Sequence, residues 1–98
     1  MAKPIYVEAL EKGDPELLKQ FTSLQEFATK EGALPAKIKT LMSVMGDAML
    51  GRPEGVKVLA ERARAQGATE AEIAETVRMA FFFGGIPALV TASHAFRA

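Results

Sequence analysis

The chain has no cysteine among its 98 residues. That excludes disulfides, thiolate metal sites and thiol chemistry by its own side chains. It has one histidine, His94. A protein-only zinc site needs three or four ligands, so no metal and no other cofactor is expected. Net charge is missing too, because twelve basic and twelve acidic residues cancel. The basic residues are spread out and interleaved with acids, without the clustered basic face that a nucleic-acid partner requires. No apolar h-region opens the chain. The longest apolar run, near Met79 to Phe83, is cut by Gly84 and Gly85, short of a membrane span. The expectation is a soluble cytoplasmic protein with no membrane partner. Repeats, low-complexity tracts and linkers are absent, and Gly84-Gly85 follows no strand and so is no phosphate loop.

What is present is apolar material. Hydrophobic residues make up 49% of the chain, with six Phe and five Met. Ninety-eight residues make one domain, residues 1–98, with residues 1–13 as an amino-terminal arm. A domain this small hides such a fraction with difficulty, and an oligomer interface is one way to add core. A homo-oligomer is therefore expected.

Apolar residues recur at intervals of three and four, never two, so the fold class is all-α. Asp14 caps a helix with Pro15 at its first position and Glu16 at the positive end of its dipole. Its apolar face is Leu17, Leu18, Phe21, Leu24 and Ala28, and Gly32 ends it. Pro35 starts a second helix, with Ile38, Leu41, Met42, Met45, Ala48 and Met49 as the buried stripe and Val44 outside it. Gly51 stops that helix and Pro53 starts the next. There Val56, Leu59, Ala60 and Ala63 face inward, while Lys57, Glu61, Arg62 and Arg64 face water. Gly67 is a C-terminal cap. Thr69 and Glu72 form a capping box. The helix that follows places Ile73, Val77, Ala80, Phe81 and Gly84 on one face. Phe81, Phe82 and Phe83 sweep more than half its circumference, which calls for burial on most sides, by another subunit in so short a chain. Gly84-Gly85-Ile86-Pro87 is a break before a last helix. The reading is five main helices around an antiparallel hairpin, Pro35 to Gln66.

Three stretches have a familiar order and spacing: Leu34-Pro35-Ala36-Lys37, then Gly67-Ala68-Thr69, then Phe83-Gly84-Gly85-Ile86-Pro87. Together they resemble the carboxymuconolactone decarboxylase superfamily, which includes the alkyl hydroperoxidase D proteins. The resemblance implies an alkyl hydroperoxidase D-like helical fold and a ring-like homo-oligomer, often a hexamer built as a trimer of dimers. The peroxidase branch uses a Glu, a Cys-x-x-Cys pair and two His. On an ungapped alignment these fall on Thr40, Arg52 and Gly55, and Glu54 and Leu59. All five are substituted, and neither Arg nor Gly replaces a thiol as nucleophile and electron carrier. The decarboxylase branch also lacks the Cys pair, and it often reads Gly-Arg with Pro and Glu close behind. Here that stretch is Gly51-Arg52-Pro53-Glu54.

Four residues are the candidates for chemistry. Arg52, with Glu54 beside it, would bind substrate by clamping a carboxylate bidentately near the free amides of the helix after Pro53. The plainer reading is a helix stop, a helix start and a solvated arginine. Asp47 lies in an otherwise apolar stretch, with Ser43 one turn back; as a partly buried carboxylate it would be a general base. Alternatively, both mark the solvent strip of their helix. His94, the one imidazole of the chain, is of a type that suits proton transfer, or it sits at an interface or surface. Lys37 and Lys39 are anion binders or simply solvated, and the Met stripe is a ligand pocket or plain core. Two functions remain open. One is a cysteine-independent lyase or related enzyme on a small carboxylated substrate. The other is a non-catalytic ligand-binding or assembly protein that kept the fold and lost the site.

Overall fold

A computed structural model describes residues 4–97. Among them are five α-helices and a terminal 3-10 turn, with no strand: α1 (Ile5–Gly13), α2 (Pro15–Thr29), α3 (Ala36–Met49), α4 (Pro53–Ala65), α5 (Glu70–Ala92) and η1 (Ser93–Ala95). The all-α expectation holds. The residues up to Lys30 form one compact unit and those from Glu31 a second.

The first unit is a helical hairpin. Most of the expected amino-terminal arm is in fact helix α1, and residues 1–3 lie outside the described residues. Asp14 ends α1 and starts α2. Its amide donates to the Leu10 carbonyl, and its carboxylate accepts from the Leu17 amide at 3.0 Å. The ring of Tyr6 meets that of Phe21 edge to face, with centroids 6.0 Å apart. No residue of α1 or α2 is buried. The second helix ends at Thr29, before the expected stop at Gly32.

The second unit holds the core. There α3 packs against both α4 and α5, and η1 closes against α4 and α5. Val44, Ala48, Val56, Ala60, Ala63, Ile73, Ala80, Ala92 and Ala95 are its most deeply buried apolar residues in one cluster. This core is made largely of alanine and valine, so the helices approach closely. Gly84 is a point of contact: a Cβ there would lie 3.5 Å from Met49 Cγ and 2.5 Å from the Ala88 Cβ.

Three expected faces are corrected. On α3 the buried line is Thr40, Leu41, Val44 and Ala48, while Ile38, Met42 and Met49 are exposed. The stripe is rotated by about one residue, roughly 100°. On α5 Ala80 faces the core, and Phe81, Phe82 and Phe83 all face outward. On α4 the Arg64 side chain is only 8% exposed, although its residue type suggested solvent. It binds Glu70 through Nε (2.7 Å) and Nη2 (2.8 Å), Glu61 through Nη1 (2.6 Å), and the Ala95 carbonyl through Nη2 (2.9 Å). Arg97 joins the cluster on Glu61. Hydrogen bonding to Arg97 holds the Glu61 pKa low, and hydrogen bonding to Arg64 does the same for Glu70.

The capping box at the start of α5 is as expected, with Thr69 Oγ1 accepting from the Glu72 amide and Glu72 accepting from the Thr69 amide. Glu72 has a second partner, Lys37 at 3.1 Å, which ties the starts of α3 and α5 together. The Thr69 amide first, and then Lys37, hold the Glu72 pKa below its usual value. The expected break in the last helix is a kink inside α5, where Gly85 takes φ 73°. By length and composition Glu70–Ala95 is apolar enough to cross a membrane. Its Ile73, Val77, Ala80, Ala88 and Ala92 are buried in the protein itself.

Candidate functional site

The turn between α3 and α4 gathers three of the four candidate residues. Gly51, at φ 73°, ends α3 in a left-handed conformation that suits glycine. Its amide donates to the Ala48 carbonyl at 3.3 Å, and the Arg52 amide donates to the Asp47 carbonyl at 2.9 Å. These two bonds make a Schellman motif, which brings the residue after the glycine over the residue four positions before it. The same motif recurs at Gly67, where Gly67 donates to Arg64 and Ala68 to Ala63.

Such motifs commonly close with an apolar contact between those two positions. At Gly67 the pair is Ala63 and Ala68, both buried. At Gly51 it is Asp47 and Arg52, an ion pair with Nη1 3.7 Å from Oδ1. The Asp47 side chain is 21% exposed and that of Arg52 65%. The carboxylate is thus held in the protein surface while the guanidinium reaches outward, at a distance too long for a tight hydrogen bond.

Gly55 completes the arrangement. A Cβ at residue 55 would stand 2.0 Å from Asp47 Oδ2 and 3.0 Å from its Cγ. The Asp47 carboxylate therefore occupies the space that any other side chain at 55 would enter. It lies at the first turn of α4, whose dipole favours negative charge and whose N-cap residue, Arg52, makes no side-chain cap bond. By residue type alone Gly55 reads as no more than a weak helix former. The signal was there in part, since glycine in the first turn of a helix costs stability and invites a reason.

Glu54 is exposed on the same first turn, where its charge also suits the dipole. Ser43 donates to the Lys39 carbonyl at 2.9 Å, a bond within its own helix. Thr40, where the resemblance places the peroxidase glutamate, is buried. His94 is exposed on η1. That turn packs at the far end of α4, where Arg64 reaches the Ala95 carbonyl. The rise along α4 from Pro53 to Arg64 is roughly 16 Å. The structure thus brings Asp47, Arg52 and Glu54 together and leaves His94 apart from them.

A carboxylate held beside a half-free guanidinium can exchange partners with an incoming anion, and once released it can accept or hold a proton. Among the described residues no cluster of three or more His, Asp or Glu is placed to hold a metal ion.

Comparisons with known proteins agree with this fold. The chain superposes with a TM-score of 0.84 on an apo carboxymuconolactone decarboxylase family protein from Legionella pneumophila, at 33% identity over 92% of this chain and 80% of that one. A candidate carboxymuconolactone decarboxylase from Burkholderia xenovorans LB400 gives a TM-score of 0.89 at 23% identity, over 96% of this chain and 74% of that one. At that identity the likeness is one of fold. A search of curated proteins finds no match. The model of the Carboxymuconolactone decarboxylase family matches residues 15–98, all but the first helix and its flanks. The chain belongs to the carboxymuconolactone decarboxylase family.

Proposed function

We propose that this chain is a cysteine-independent member of its family that takes a small carboxylated substrate at the α3–α4 turn. The supporting observation is the placement of Asp47, half-sheltered above the bare Gly55 and only loosely paired with Arg52 at 3.7 Å. A lyase that releases carbon dioxide needs one group to hold the substrate carboxylate and one to handle the proton that replaces it. Arg52 offers a planar two-point hold for the first task. The substrate carboxylate competes with Asp47 for the guanidinium, and the displaced Asp47 is then the nearest proton-transfer group. Without a thiol, the reaction is not peroxide reduction by the protein's own residues.

A second reading is favoured by one observation. Arg52 already has an internal carboxylate partner, and His94 is far from it, so the turn also suits a family member that kept the scaffold without the chemistry. Thermal shift against small lactones, muconate-like diacids and aromatic acids separates the two. At about 100 times its dissociation constant a ligand stabilises the native state by about 2.7 kcal/mol. The first reading expects a shift that disappears in Arg52→Ala, and turnover that disappears in Asp47→Asn while binding persists. A flat screen with the fold intact supports the second.

A further inference from the structure

We infer that the carboxylated ligand proposed for the α3–α4 turn, on which reading this rests, also carries a hydrogen-bond donor on the carbon next to its carboxylate, as in a 2-hydroxy or 2-amino acid. The turn sets two groups of opposite kind side by side. The guanidinium of Arg52 only donates and the carboxylate of Asp47 only accepts, and they stand 3.7 Å apart. A ligand carboxylate that takes the guanidinium removes the ion-pair partner of Asp47. The Asp47 side chain is largely sheltered, so water restores only part of that loss, and an unmet carboxylate weakens the complex. A donor carried by the ligand itself replaces the missing bond.

The backbone fixes where that donor must be. The Arg52 amide donates to the Asp47 carbonyl at 2.9 Å, which keeps the two residues neighbours. The carboxylate is held further by α4, because its Oδ2 fills the space above Gly55. The guanidinium, on the more exposed of the two side chains, has room to swing outward. An inserted ligand therefore meets both groups within a short span, and adjacent carbons must present its acceptor and its donor. Charge points the same way. Asp47 and Glu54 set against Arg52 leave the turn with acid in excess. A second carboxylate on that carbon would face Asp47 and be repelled, whereas a hydroxyl or an ammonium is attracted.

Four acids that differ at this one position test the inference on the full chain. Mandelate carries a hydroxyl beside its carboxylate, phenylglycine an ammonium, phenylacetate only hydrogen, and phenylmalonate a second carboxylate. Calorimetric titration at neutral pH should place mandelate or phenylglycine ahead of phenylacetate by roughly threefold to tenfold, the net worth of one hydrogen bond, with phenylmalonate last. The tighter of the first two names the donor. Asp47→Ala should erase the ranking. Gly55→Ala, whose methyl displaces the same carboxylate, should erase most of it with Arg52 still in place. Arg52→Ala should abolish binding of all four. Equal affinities for the four, lost in Arg52→Ala, would leave carboxylate binding standing and overturn the requirement for a donor. A ranking that survives Asp47→Ala would overturn it as well. No binding by any of the four, nor by the ringless set of glycolate, glycine, acetate and malonate, would overturn both.

Discussion

Asp47 and Gly55 form a coupled pair, and the coupling is measurable. Alanine normally improves on glycine in a helix by about 0.5–1 kcal/mol. At residue 55 that gain should be cancelled, because the new methyl must push the Asp47 carboxylate off its place beside Arg52. In an Asp47→Ala background the obstacle is gone, since the Asp47 Cβ lies an ordinary 3.6 Å from the added methyl. Urea unfolding of the four proteins in this cycle should give a coupling of about 1 kcal/mol or more, and additive effects would disprove the contact. The sequence exposed half of this pair. Asp47 stood out as a lone acid in an apolar stretch, and Arg52 through the family's Gly-Arg-Pro-Glu turn. Gly55 did not, because contact between residues eight apart depends on how the intervening turn is folded, which no residue type announces.

The helices themselves were legible because their ends carry local chemistry. Asp14, Gly51, Gly67 and the Thr69–Glu72 box each act within a few residues, and all four sit as their types require. The inward faces were harder to read. On α5 the apolar residues run round the whole circumference, so pattern alone could not separate the core side from the Phe81–Phe83 side. Arg64 was misread because a buried arginine is unusual unless its donors are all met, and its partners come from α4, α5 and η1. Arg64→Ala should cost about 1–3 kcal/mol, by removing the donor to the Ala95 carbonyl and the packed stem. Hydrogen exchange should show Ala95 to Arg97 losing protection first. Acid should act on the same cluster. Glu61, Glu70 and Glu72 have folded-state pKa values below the ordinary 4.5, so the folded chain binds these protons less tightly than the unfolded one. Their stabilisation is complete above about that value and is lost as pH falls through the folded-state values. Urea midpoints taken from pH 6 down to pH 3 should fall, and fall less steeply in Glu72→Gln, which has no such proton to take up.

The molecule as a whole divides into parts of unequal resistance. The second unit owns the buried cluster, whereas α1 and α2 bury no residue. Amides in Ile5–Thr29 should therefore exchange with solvent well before those of α3 and α4, and protection equal to that of α3 would contradict this division. The family model begins at residue 15, so the segment it leaves unmatched includes all of α1. Chain length does not announce this division, since length constrains total size and not where the contacts fall. One feature of the second unit constrains what residue 55 can become. Because the Asp47 carboxylate fills the space above it, any side chain introduced at 55 has to displace that carboxylate, so tolerance at 55 depends on which residue stands at 47. A library that varies 55 alone samples only the shapes that Asp47 can move aside for, and varying the two together opens the rest.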